Sequence, residues 1–220
     1  MTPAHHGDRF QAPTLAHSLP ASTANVGGET QTAQDERNAH PHSIMNGFTS
    51  AGWVTLPALL THTVTTIGYR AEGAMEQVET LVREQDAMVL DIRTMPRSRY
   101  YPQWNRKPLE ARFGLQHYDH LELLGNVNYR TPELPIQLQD AHNGLLWLCV
   151  YLQRRDVVLL CGCPHPLSCQ HTRKSTHLRM CHRYHVCQLL HQHLPTLSIK
   201  HLITRSDGSW DEQRHAEVQV

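Results

Sequence analysis

The sequence predicts an α/β fold, an open three-layer Rossmann-like sandwich with a mainly parallel sheet of about five strands. Three observations carry this. Short β-branched or apolar runs, such as Val64-Thr65-Thr66-Ile67-Gly68-Tyr69 and Asp156-Val157-Val158-Leu159-Leu160-Cys161, alternate with amphipathic stretches. The runs are apolar along their length, as in parallel strands covered on both faces. Eight strand–helix repeats do not fit, which excludes a TIM barrel.

In chain order, Val64–Tyr69 is the first expected strand, β-branched and aromatic. Residues 72–85 carry Met75, Val78, Leu81 and Val82 on one helical face. Ala87–Ile92 is a short apolar run suited to a buried strand. A long polar loop follows, then a short helix near 108–113 and a third strand at Leu115–His120. Residues 137–153 place Leu138, Ala141, Leu145, Leu148, Cys149 and Leu152 at helical spacing. After the strand at 156–161, a helix from roughly 182 to 194 turns Val186, Leu189, Leu190 and Leu194 to the core. Leu197–Ile203 closes as the last strand. The domain therefore spans 61–203. Residues 1–60 are expected to be a weakly ordered tail, rich in Pro, His, Ser, Thr, Ala and Gly and too poor in periodic apolar residues to offset chain entropy. Its His5, His6, His17, His40 and His42 read as scattered solvated side chains, and its apolar Trp53–Leu60 patch as a contact to the domain. Residues 204–220 read as a polar tail.

The chain has 220 residues, which means one domain plus tails, or at most two small domains. Lys+Arg and Asp+Glu are 20 each, excluding a globally basic nucleic-acid coat and an acidic solubilising chain. No apolar run approaches the ~20 residues needed to span a bilayer. Met1-Thr2-Pro3-Ala4-His5-His6 lacks a charged region followed by an apolar one, so no secretory signal is read and a cytoplasmic protein is expected. Of the six cysteines, Cys161, Cys163, Cys169, Cys181 and Cys187 crowd into one stretch, with Cys149 before it. A secreted disulfide framework would spread its cysteines. The expectation is a reducing compartment, with thiols kept for packing, metal or chemistry.

Ligands in open α/β sheets bind beyond the carboxyl ends of the strands. The first strand ends at Gly68-Tyr69-Arg70 and the second at Asp91-Ile92-Arg93, followed by Pro96-Arg97-Ser98-Arg99. The segment 93–112 holds Arg93, Arg97, Arg99, Arg106, Lys107 and Arg112 against one acid, Glu110, with Tyr100, Tyr101 and Trp104 interleaved. Arginine forks hold phosphate or carboxylate bidentately, and aromatic faces stack on bases or sugars. A solvated basic loop is the plain alternative. The strand at 156–161 ends at Cys161-Gly162-Cys163, followed by Cys169, His171 and Cys181-His182-Arg183. Three readings stay open here. A cysteine at a helix start beside arginine has a lowered pKa and serves as nucleophile or anion contact. Cys163, Cys169, His171 and Cys181 supply a Cys3His zinc set, though without the paired knuckles of a zinc ribbon. Cys161 and Cys187 read as small apolar core residues. Neither a phosphate-binding P-loop, a dinucleotide glycine fingerprint nor a G-x-S-x-G elbow is present.

At these residues the chain resembles the domain-of-unknown-function 488 family. The matching pieces are Thr66-Ile67-Gly68-Tyr69, Leu90-Asp91-Ile92-Arg93, Pro96-Arg97-Ser98-Arg99, Trp104-Asn105 and Leu109, and Tyr118-x-His120 with Leu123-Leu124-Gly125. Leu159-Leu160-Cys161-x-Cys163 and Cys181-His182-Arg183 complete them, in order over roughly residues 64–203. The resemblance implies a Rossmann-like α/β domain and names no reaction. It departs at Cys169-Gln170-His171, where the family pattern has Cys-His-Arg. An insertion of about a dozen residues, 169–180, accounts for this and makes Cys181 the better match.

The expected function is an intracellular enzyme acting on an anionic substrate, nucleotide or nucleic-acid related. Tyr69, Arg93, Arg97, Arg99 and Arg183 would bind the substrate. Asp91 would be general base or orient an arginine, His182 a base or a helix-start partner, and Cys181 a nucleophile of lowered pKa at the helix N-terminus. The rivals are a non-enzymatic nucleotide or nucleic-acid binding module and a zinc-stabilised domain, with zinc the one candidate cofactor.

Overall fold

The computed structural model describes residues 60–131, 133–166 and 180–217. Its strands are β1 (Val64–Gly68), β2 (Met88–Asp91), β3 (Tyr118–His120), β4 (Val157–Cys161), β5 (Ile199–Thr204) and β6 (Trp210–Arg214). Its α-helices are α1 (Ala74–Gln85), α2 (Arg106–Phe113), α3 (Ala141–Leu152) and α4 (His182–His193). The strands form one six-stranded sheet in the order β3-β2-β4-β1-β5-β6. All neighbours run parallel except β5 and β6. No helix among the described residues is long and apolar enough to cross a membrane.

Alternation along the strands builds a core on each face. Val64, Met88, Leu90, Val157 and Leu159 point to one face, where Leu145, Leu148 and Leu152 of α3 and Val186, Cys187 and Leu190 of α4 cover them. Ile67, Val89, Val158 and Leu160 point to the other, beneath Ala74 and Val78 of α1 and Leu109 and Phe113 of α2. Strand β4 is apolar along its whole length because both its faces are covered. Helix α3 starts where Asp140 caps it, accepting from the Asn143 backbone N–H at 3.1 Å and from Asn143 Nδ2 at 2.7 Å.

The expected α/β class and its mainly parallel sheet are found, with two corrections. The sheet has six strands, not about five. The segment from 204 onward is not simply a polar tail, since β6 pairs antiparallel with β5 from Lys200↔Arg214 to Thr204↔Trp210. It is an edge strand with few apolar residues, held by Lys200–Glu212 and Arg205–Asp211 ion pairs, each 3.0 Å. Leu60 packs against the core of the α3–α4 face. The expectations for residues 1–59, for Cys169 and His171, and for 218–220 lie outside the described residues.

Register sets the edge that matters. Gly68 pairs with Cys161, and Asp91 pairs with both Leu160 and His120. The carboxyl ends of β1, β2, β3 and β4 therefore end level. Backbone bonds from Tyr69 N to Cys161 O (2.9 Å) and from Ile92 N to Leu160 O (3.1 Å) carry the pairing just past the strands.

Candidate functional site at the carboxyl edge

Asp91 ends β2 fully buried, its carboxylate turned to the α1–α2 face. Arg93 grips it with both ends of the guanidinium: Nε donates to Oδ1 at 2.7 Å and Nη2 to Oδ2. The hydroxyl of Tyr118, the first residue of β3, donates to Oδ2 at 3.1 Å. Arg93 Nη2 also donates to the Trp104 carbonyl at 2.5 Å, and its guanidinium lies 4.8 Å above the Tyr69 ring. Tyr69 in turn stacks on Trp104 at 5.6 Å. Burial opposes the charge on Arg93, but the paired Asp91 outweighs it and holds the pKa above the ordinary arginine value. Burial, then the Asp91 carboxylate, pushes the Tyr118 phenol up. His120 Nε2 donates to the Arg93 carbonyl at 2.6 Å and pins the start of the arginine-rich loop. Within that loop, Asn105 Oδ1 accepts from Ser98 N at 2.6 Å.

The second group lies on the same edge, toward the α3–α4 face. Cys161 ends β4, and Cys181 immediately precedes α4. Their sulfurs are 3.2 Å apart and both are buried. Cys163 N donates to Cys161 Sγ at 3.4 Å, and Arg183 Nη1 lies 3.8 Å from it. Arg183 is fully buried; its Nη1 donates to the Cys163 carbonyl at 2.7 Å and its Nη2 to the Pro164 carbonyl at 3.2 Å. Gly68 makes this approach feasible, because a Cβ there would stand 1.6 Å from the Cys163 oxygen and 2.5 Å from Arg183 Nη1. His182 Nε2 donates to the Ile92 carbonyl at 3.0 Å, tying the first turn of α4 to the end of β2. That bond joins the two groups.

The two thiols shift in opposite directions. Burial raises Cys161, but the thiol of Cys181, the charges of Arg183 and His182 and the Cys163 N–H together bring it well below the ordinary cysteine value. Burial, and the bond and charge of Cys161, push Cys181 well above it. The expectation of a lowered pKa at Cys181 is thus corrected. The helix start and Arg183 favour charge on Cys181, yet Cys161 also has the Cys163 N–H at 3.4 Å, which Cys181 does not share. Cys161, expected to serve packing, is instead the thiol of the pair whose pKa is lowered. A signal was available, since Cys161 is the last residue of the most apolar strand, where ligand chemistry is expected. Cys149 and Cys187 answer the packing description: burial alone pushes Cys149 up to about 12, and burial dominates at Cys187, which also rises.

The remaining expected residues fall into place unevenly. Asp91, Arg93 and Tyr69 come together on one face, Arg183, Cys181 and His182 toward the other, all on the expected edge. Asp91 is held by Arg93 through two guanidinium nitrogens. Arg97 and Arg99 are exposed, Arg99 folded over Tyr100 at 4.5 Å. Of the Cys163, Cys169, His171, Cys181 zinc set, Cys163 is disulfide-bonded, and Cys169 and His171 lie outside the described residues. The cluster of metal-ligating atoms found among the described residues is instead Cys161, Cys181 and His182, all within 4.8 Å of one another. No family model, curated protein or solved structure matches the chain.

Proposed function

We propose that the chain is an enzyme acting on an anionic substrate of the nucleotide or nucleic-acid class, bound at the carboxyl edge of the sheet. One observation carries the reading. Arg93 and Arg183 are both buried at this edge, and each keeps one N–H group without a partner among the described residues, Arg93 Nη1 and Arg183 Nε. A buried donor left unpaired costs about 1–3 kcal/mol, a cost a fold recovers when a ligand oxygen accepts the bond. Arg97 and Arg99 add exposed cations on the same loop, and the Cys161–Cys181 pair supplies a reactive group beside it. Membership of the domain-of-unknown-function 488 family and a cytoplasmic location belong to the same proposal, on the motifs quoted above. A binding module that holds the anion without turnover uses the same residues.

Calorimetric titration with a nucleoside monophosphate tests the binding. The expected result is saturable binding that weakens about tenfold in Arg97→Ala, an exposed side chain whose loss leaves the core intact. Absence of binding, or binding indifferent to Arg97→Ala and to Arg99→Ala, overturns the reading. Turnover of the bound ligand by the intact chain, lost in Cys161→Ser while binding persists, separates enzyme from module.

A further inference from the structure

We propose that Cys161, Cys181 and His182 form a zinc site. The three ligand atoms lie within 4.8 Å of one another, and the two sulfurs within 3.2 Å. A tetrahedral zinc ion takes sulfur at ~2.3 Å and imidazole nitrogen at ~2.0–2.1 Å, so its ligand atoms stand roughly 3.5 Å apart. The sulfurs need to open by only about half an ångström to seat the ion.

The surroundings are those of a ligand set rather than of packed thiols. Metal-bound histidine places its other ring N–H on a carbonyl or carboxylate. His182 Nε2 does so on Ile92 O at 3.0 Å, which leaves Nδ1 with its lone pair. Metal-bound thiolate collects N–H donors, and Cys161 has the Cys163 backbone N–H at 3.4 Å and Arg183 Nη1 at 3.8 Å. The other buried free thiols among the described residues, Cys149 and Cys187, are packed in the α3–α4 core. The site is also held from three directions, by the end of β4, the start of α4 and, through Ile92, the end of β2. Two thiolates neutralise the ion, so burial costs less than it would for an unbalanced charge. The proposal rests on the Cys2His cluster alone and stands whether or not the neighbouring arginines bind an anion.

The full chain, kept under anaerobic conditions with the Cys163 disulfide intact, dialysed and then titrated with cobalt(II) and competed with zinc(II), tests it. The chain has 18 histidines, which pick up metal loosely, so the readout is the thiolate-to-cobalt charge-transfer band rather than metal content alone. A band reaching its plateau at about one cobalt per chain, displaced by equimolar zinc, is expected. It should lose at least half its intensity in Cys181→Ser and need about tenfold more free cobalt to saturate in His182→Gln, while Cys187→Ser leaves it unchanged. Absence of the band in folded wild-type protein overturns the proposal. So does a band that survives intact in Cys181→Ser and His182→Gln, which would place the ligands elsewhere in the chain.

Discussion

Asp91 shows how a single residue at a strand end is committed by its neighbours. It receives Arg93 through two nitrogens and the Tyr118 hydroxyl, all out of water. Removing the negative charge leaves a buried guanidinium without its counter-ion, a loss of about 3–5 kcal/mol. Asp91→Asn is therefore expected to lower the urea midpoint sharply, while an exposed change such as Arg97→Ala leaves it within experimental scatter. Equal midpoints for Asp91→Asn and wild type would show that the pair is not the anchor of this edge. Gly68 carries a different load. Its missing Cβ is the space in which the Cys163 carbonyl and Arg183 lie, and a methyl group there would overlap the carbonyl oxygen at 1.6 Å. Since the contact is backbone, relief requires the 161–163 segment to move. Gly68→Ala is expected to cost more than about 3 kcal/mol or to prevent folding, and a variant of near wild-type stability would contradict the packing described. The motif pieces containing Gly68, Asp91 and Arg93 were visible in the sequence. Their partnerships were not, because Arg93–Asp91 and Gly68–Cys163 depend on loop paths that strand periodicity does not specify.

At the scale of elements, the amphipathic helices and the apolar strands were legible because each repeats its pattern over several residues. Strand β6 was not. Trp210-Asp211-Glu212-Gln213-Arg214 is nearly all polar, and an edge strand is stabilised by backbone pairing and cross-strand charges that leave no hydrophobic signature. Its role can be measured: a chain ending at residue 205 loses the β5 pairing and the Trp210 ring, whose Nε1 would lie 3.2 Å from a Cβ at Gly73. That truncation is expected to unfold at lower urea than the full chain. The β5–β6 hairpin also sets a pH dependence. His201 on β5 is buried, 2.7 Å from the Thr66 hydroxyl and 2.9 Å from His215 Nδ1. Burial, with the charges of His215 and Arg183, pushes its pKa down to about 3 from 6.5. The unfolded chain then takes up a proton in that interval while the folded chain does not. Stability is full above pH 6.5 and falls as pH drops toward 3, by at most ~1.4 kcal/mol per pH unit from this residue. His215 and His185 shift the same way, chiefly through burial. Urea unfolding at pH 7.5 and at pH 5 should show the loss, reduced in His201→Gln; stability constant across that range would contradict the burial of a neutral imidazole.

For the whole molecule, the sheet order explains why the chemistry gathers on one edge. Strand β4 lies between β2 and β1, so Asp91, Cys161 and Gly68 end side by side although 70 residues of sequence separate the first two. The rule that ligands bind beyond the carboxyl ends of parallel strands selected this edge from sequence alone. It did not select which of the two facing thiols has the lowered pKa, because that depends on donors supplied by Cys163 and Arg183. The central claim is that this edge receives the anion. Photolabelling of the full chain with an azido-substituted nucleoside monophosphate, followed by peptide mapping, tests it most directly. The account predicts saturable labelling, competed by the unmodified nucleotide, within residues 93–104, 161–166 or 180–184. Labelling confined to the opposite edge, around His62, Asp86 or Asp156, would contradict it.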